Sequence, residues 1–174
     1  MAVVFDASML VYVVTPNAAA PEDKATGQPV QHCSERIAHL LDNLEQRGER
    51  IVIPTPALAE VLVKASEAAA EYLSRLTASR HFSIRPFDTL AAVEHAAIQR
   101  ERQASGTIPR APARAKAKFD DQIFAIARVS AAETIYSDDP DIAQLCGHFG
   151  IACEGIADLP LPPSDPQMSL GLLD

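Results

Sequence analysis

At 174 residues, 48% of them apolar, the chain is long enough for a single domain with a substantial core. Its formal net charge of −8 argues against a general nucleic-acid-binding module, which would be basic overall. Three cysteines without Cys-x-x-Cys spacing and five histidines without partner spacing argue against zinc and make a reducing cytoplasm the expected setting. No apolar run approaches the ~20 residues of a membrane span, and no basic region precedes an apolar one at the N-terminus, so neither a membrane segment nor a signal peptide is expected.

Residues 2–5, Ala-Val-Val-Phe, read as a short buried strand ending at Asp6. Ala7 to Val14 reads as a first helix. Residues 15–31 carry Thr15, Pro16, Asn17, Pro21, Gly27 and Pro29 and read as a long loop. From Cys33 to Arg47, Ile37, Leu40, Leu41 and Leu44 recur at helical spacing, and Gly48 stops the helix. Ile51-Val52-Ile53 is a second buried strand. Thr55 is expected to cap the next helix, with Pro56 at its first position. Leu58, Val61, Leu62 and Ala65 mark that helix's inner face, and Glu60 flanks it.

Helix is expected over 67–79, a short strand over 82–85 and helix over 88–103. Gly106, Pro109 and Pro112 break the pattern between Ser105 and Pro112. A helix from about Phe119 to Ser130 turns Ile123, Phe124 and Ala127 inward. Thr134-Ile135-Tyr136 is a further central strand, Ser137 to Asp141 a turn, Ile142 to Phe149 a helix ended by Gly150, and Ile151-Ala152-Cys153 a last strand. The Pro-rich tail from Leu159 reads as irregular. Strands alternating with helices predict a three-layer α/β/α sandwich with a mainly parallel sheet over residues 1–155, followed by a tail over 156–174. Ligands of such sheets bind beyond the carboxyl ends of the strands. Asp6 and the segment Ser137 to Asp141 fall on that edge.

Four acidic signatures lie at apolar strand ends or on apolar helices. They are Asp6 in Val-Val-Phe-Asp-Ala-Ser, Glu60 in Ala-Leu-Ala-Glu-Val-Leu, Asp120 in Asp-Asp-Gln-Ile-Phe-Ala-Ile-Ala, and Asp139 in Ser-Asp-Asp-Pro-Asp-Ile. Such places suit a charge poorly unless something positive compensates it. Taken singly, each has a plain explanation. Asp6 can cap a helix, Glu60 can sit in solvent, Asp120 and Asp121 can favour a helix dipole, and Asp138, Asp139 and Asp141 can be turn residues. Taken together they suit a divalent cation, because Mg²⁺ takes hard oxygen ligands and crowded carboxylates repel one another without one. The corresponding chemistry is metal-assisted phosphodiester hydrolysis.

In order and context these motifs resemble those of the PIN-domain ribonucleases, in particular the VapC toxins of bacterial toxin–antitoxin pairs. Val-Val-Phe-Asp-Ala-Ser resembles the family's opening strand, Asp, small residue and Ser. Ala-Leu-Ala-Glu-Val-Leu resembles its Glu helix, and Asp-Asp-Gln-Ile-Phe-Ala-Ile-Ala its Asp-x-x-Ile-x-Ala-x-Ala helix, which selects Asp120 over Asp121. Tyr-Ser-Asp-Asp-Pro-Asp-Ile resembles its Thr-x-Asp-x-Asp-Phe turn. It maps Ser137, Asp139 and Asp141 and leaves Asp138 in the variable slot, with Ser137 and Ile142 departing from the usual Thr and Phe. The resemblance spans roughly residues 2–155. It implies Mg²⁺ or Mn²⁺ held mainly by Asp6, Asp120 and Asp139, with Glu60 and Asp141 assisting directly or through water and Ser137 orienting a ligand or the attacking water. It also implies RNA as substrate, a small antitoxin as partner and a homodimer.

Residues 100–118 hold Arg100, Arg102, Arg110, Arg114, Lys116 and Lys118 against Glu101 alone. Arg110, Arg114, Lys116 and Lys118 are candidates for steering RNA phosphates toward the metals, the plain alternative being a solvated loop. With no Trp and few aromatics, base stacking is not an evident mode. The Cys33–Arg47 helix and the Tyr72–Leu76 stretch are candidate dimer faces, though core packing explains their apolar residues as well. A haloacid-dehalogenase-type phosphatase is disfavoured because Ser8 stands where its second Asp belongs. A receiver domain is disfavoured because Pro54 follows the strand at Ile53. The remaining alternative is an idle PIN fold kept as a binding or scaffold module.

Overall fold

A computed structural model describes residues 1–15, 18–23, 25–106 and 114–163, apart from the side chains of 114–117. Five parallel strands form one sheet: β1 (Ala2–Phe5), β2 (Arg50–Pro54), β3 (Phe82–Arg85), β4 (Ala132–Tyr136) and β5 (Ala152–Glu154), in the order β3-β2-β1-β4-β5. The helices are α1 (Ala7–Val14), α2 (Cys33–Gln46), α3 (Thr55–Ala65), α4 (Ala69–Ala78), α5 (Thr89–Ala104), α6 (Arg114–Val129) and α7 (Pro140–Phe149). No described helix is long and apolar enough to cross a membrane. The three cysteines are free thiols.

The sheet is covered on both faces, as an all-parallel sheet must be. Alternation along β1 assigns the faces. Val4 joins the cluster built with α3, α5, α6 and α7, including Leu58, Ile98, Phe124 and Ile142. Val3 and Phe5 join the other cluster, with Ile37, Leu40 and Leu44 of α2. This second cluster continues past residue 155. Ile156 in the 3₁₀ turn Ile156–Asp158, and Leu159 after it, are buried there, and Arg36 of α2 donates to the Leu159 carbonyl.

Local chemistry moves several element boundaries away from the sequence reading. Thr55 is the first residue of α3, not its cap. Pro54, still in strand geometry, takes the cap position, and the Thr55 hydroxyl accepts from Phe87 N (3.3 Å) instead. α7 begins at Pro140 rather than Ile142, because Asp139 caps it and proline suits the first turn. α6 begins at Arg114, so Asp120 and Asp121 lie within the helix and not ahead of it. The helix expected over 67–79 is a 3₁₀ turn, Ser66–Ala68, followed by α4.

The sheet order puts β1 in the centre. From β1 the chain winds outward through β2 and β3, then returns to the other side of β1 with β4 and β5. The winding therefore reverses between β1 and β4, and a crevice opens beyond their carboxyl ends. Asp6 follows the last residue of β1 and Ser137 follows the last residue of β4.

Candidate metal centre

Asp6 sits at the reversal point. Its carboxylate caps α1, with Oδ1 accepting from Met9 N (3.1 Å) and from Ser8 Oγ (2.6 Å). Across the crevice Ser137 Oγ donates to Asp6 Oδ2 (2.5 Å). Each serine also accepts from the loop after β4: Asp138 N donates to Ser8 Oγ (2.9 Å) and Asp139 N to Ser137 Oγ (3.0 Å). Two hydroxyl relays thus join the ends of β1 and β4. Asp6 is 3% exposed, and burial pushes its carboxyl up to about 6 against the opposing pull of Ser137, Ser8 and Met9.

Asp120 stands on α6 and is buried, and Asp139 and Asp141 belong to the start of α7. One carboxylate oxygen from each of the three lies within 4.8 Å of the others. Asp139 Oδ1 also accepts from Asp141 N (2.8 Å), so the cap of α7 presents both acids to Asp120. Three hard oxygen donors, one of them on the buried Asp120, fit a small divalent cation. Their mutual repulsion is what such an ion would relieve. Neighbouring Asp121 is 2% exposed and turns elsewhere, accepting from Arg102 of the same protein core and from Gln99, both on α5.

Asp6, Asp120 and Asp139 line one cleft of about 790 Å³ together with Glu60, Lys64, Val63, Phe119 and Asp138. Glu60 is at this cleft but outside the close trio. Its Oε1 accepts from Lys64 Nζ (2.7 Å), one helical turn on. Asp6 is likewise on the cleft wall and outside the trio, while Asp141 belongs to it.

Of the four basic candidates, Lys118 is exposed on α6. Arg114 and Lys116 belong to the same helix with side chains outside the described residues, and Arg110 lies outside them altogether. Arg102, from the same basic stretch, is buried against Asp121 and is not available to a phosphate. Sequence reasoning passed over three residues of the cleft. Ser8 was visible in the opening motif, but only as a residue too short to be a second acid. Lys64 follows Glu60 at the spacing of a helical ion pair. Phe119 precedes Asp120 directly.

The sequence matches no protein-family model and no curated protein. The structure, however, is similar to solved ones. A chain of VapBC2 from Rickettsia felis, crystallised bound to a DNA fragment from their promoter, superposes with a TM-score of 0.59 at 15% identity, covering 89% of this chain and 98% of that one. FitAcB from Neisseria gonorrhoeae gives 0.59 at 18% identity, with 90% and 99% covered. VapC20 from Mycobacterium tuberculosis, a sarcin–ricin loop cleaving toxin, gives 0.54 at 10% identity, with 82% and 93% covered. The chain therefore has the fold of these proteins, the α/β sandwich expected of a PIN domain.

Proposed function

We propose that the protein is a metal-dependent endoribonuclease, the toxin of a toxin–antitoxin pair, acting at the cleft beyond β1 and β4. The observation that carries this reading is the convergence of Asp120, Asp139 and Asp141 to within 4.8 Å, with Asp120 and Asp139 lining the cleft that Asp6 and Glu60 also line. Carboxylates from motifs far apart in the chain, brought this close, form a set of hard oxygen donors suited to a divalent cation. The VapC resemblance of the motifs is what supports RNA as the substrate, a small antitoxin as the partner, a homodimer as the assembly and the cytoplasm as the setting, and the shared fold is consistent with it.

Asp120, Asp139 and Asp141 would hold Mg²⁺ or Mn²⁺, with Asp6 and Glu60 assisting from the cleft wall. The bound ion supplies an activated water and neutralises charge on the phosphodiester. Asp6 remains able to accept on Oδ2, since a carboxylate has about four lone-pair sites and its three donors occupy fewer. Ser137 holds Asp6 and the Asp139 backbone in fixed relation, so the acids from β1 and α7 keep their spacing when substrate enters. Lys64 engages Glu60 through Oε1, which leaves Oε2 of Glu60 for an ion or its water.

The test is cleavage of a labelled single-stranded RNA by the purified protein during a Mn²⁺ titration, alongside Asp120→Asn. Cleavage should require the metal and fall in the variant by more than the ~10- to 100-fold that loss of an outer-shell partner costs a metal site. Mn²⁺ should also raise the melting temperature of the parent but not of the variant, because only the folded site gathers the three carboxylates. Full activity in Asp120→Asn, or cleavage indifferent to EDTA, overturns the reading. Metal binding without any cleavage leaves the fold as a binding module.

A further inference from the structure

The chain has nine aromatic residues, six Phe and three Tyr. Eight are buried or partly covered, and Phe119 alone is exposed, at 58%. Leaving a phenyl ring in water forgoes the stabilisation that burying it would give. Its position is not arbitrary: it directly precedes Asp120 on α6 and lines the carboxylate cleft. Val63 of α3, 81% exposed, lines the same cleft. An apolar rim therefore surrounds an acidic floor.

Cations stand beside this rim. Lys64 follows Val63 on the cleft wall, and exposed Lys118 precedes Phe119. A ligand matching all of this carries negative charge for the lysines, an anionic centre for a metal at the carboxylates, and a flat apolar face for the phenyl ring. Single-stranded RNA presents that combination at every nucleotide. Aromatic faces beside cationic grooves are how such strands are held.

We propose that Phe119 is a stacking platform for a nucleobase flanking the phosphate that reaches the carboxylate cleft. The inference rests on the ribonuclease reading and adds the residue that places the strand. Stacking accepts any base, because each has a π-face, so Phe119 sets the position of the strand and not its sequence. Lys64 and Lys118 supply the phosphate contacts on either side.

The test uses a short single-stranded RNA of mixed sequence containing 2-aminopurine, with Ca²⁺ present so that binding is read without turnover. In the parent, binding should quench the 2-aminopurine fluorescence. Phe119→Leu keeps an apolar side chain without a π-face. It should lose the quenching and bind about 5- to 150-fold more weakly, the range of a lost base–aromatic stack. Phe119→Trp should restore both. Mn²⁺ affinity by calorimetry should match the parent in both variants. In turnover the loss should fall on KM and leave kcat within about twofold. An RNA with abasic sites should bind parent and Phe119→Leu alike. Equal affinity and quenching in the parent and Phe119→Leu overturn the proposal, as does a defect that persists on abasic RNA. A change in oligomeric state of Phe119→Leu by sedimentation, with RNA affinity intact, assigns the ring to a protein interface and also overturns it. Failure of the parent to bind Mn²⁺ or to cleave would strike the ribonuclease reading instead, while the quenching comparison remains readable.

Discussion

Asp120 and Asp121 are consecutive residues of α6 and both are buried, at 6% and 2% exposure, yet their surroundings answer their charges in opposite ways. Asp121 faces α5, where Arg102 and Gln99 meet it inside the protein. Asp120 faces the cleft, where Asp139 and Asp141 add two more negative charges. One carboxylate is compensated by the fold. The other stands beside two further carboxylates, in a grouping that a divalent cation fits. A helix turns by about 100° per residue, so adjacent acids serve different neighbours, one an arginine and a glutamine of α5, the other the acids at the start of α7.

The comparison is most sharply broken from the Asp121 side. Arg102→Met should strand a buried carboxylate and destabilise the protein by about 3 to 5 kcal/mol. In a thermal melt this is a fall of roughly 10 °C for a chain of this size. Adding Asp121→Leu should recover most of the loss, because the unpaired charge is then gone. A loss below about 1 kcal/mol in Arg102→Met would mean the ion pair is not what holds α5 to α6.

The next largest effect concerns Asp6 in EDTA. Its carboxyl titrates in the folded protein at about 6, above the ordinary 3.8. Its contribution to stability is therefore complete below pH 3.8 and lost as pH rises through about 6. Asp6→Asn stays neutral throughout and can still accept at its amide oxygen from Met9 N and Ser8 Oγ. The variant should gain little at pH 4 and up to about 3 kcal/mol above pH 7. Melting temperatures of parent and variant measured across that range give the difference directly. A difference that does not change with pH would remove burial of a charge as the cause.

The smallest effect concerns the basic residues that precede Asp120 in the sequence. Each phosphate contact contributes about 0.7 to the slope of log affinity against log salt for single strands. Replacing Arg110, Arg114 and Lys116 by Gln should flatten that slope by up to roughly two units, and Lys118→Gln alone by about 0.7. RNA affinity measured over a salt series shows whether these residues meet the strand; an unchanged slope would assign them to a solvated stretch.

Much of the sheet was legible because a doubly covered parallel strand is written as a short apolar run. Val-Val-Phe and Ile-Val-Ile have few other readings at this length. Helix starts were less so. Thr55 has a capping side chain, yet Pro54 holds the cap position and Thr55 bonds the segment after β3, a tertiary partner that local sequence does not reveal. α6 extends back to Arg114 through residues whose spacing carries little apolar periodicity. At the site, the acids were legible as motifs but their grouping was not. Asp141 joins Asp120 and Asp139 in the close trio while Asp6 is held by two serines, because capping bonds decide where each carboxylate points. Phe119 could not be distinguished from a core phenylalanine, since exposure at a cleft rim leaves no mark on the chain.

One glycine ties a slot that the turn motif leaves variable to a residue outside that motif. Asp138 Oδ1 accepts from Ile156 N (2.9 Å), and a Cβ on Gly155 would lie 2.7 Å from that oxygen. The backbone at Gly155, with φ −90° and ψ 171°, is one any residue adopts, so what is required there is emptiness and not flexibility. The two positions are therefore coupled. A side chain at 155 has room only if the Asp138 carboxylate swings aside and gives up its bond to Ile156 N. A change beyond the last strand is thus felt inside the turn motif, as a loosened link between that turn and the segment after β5.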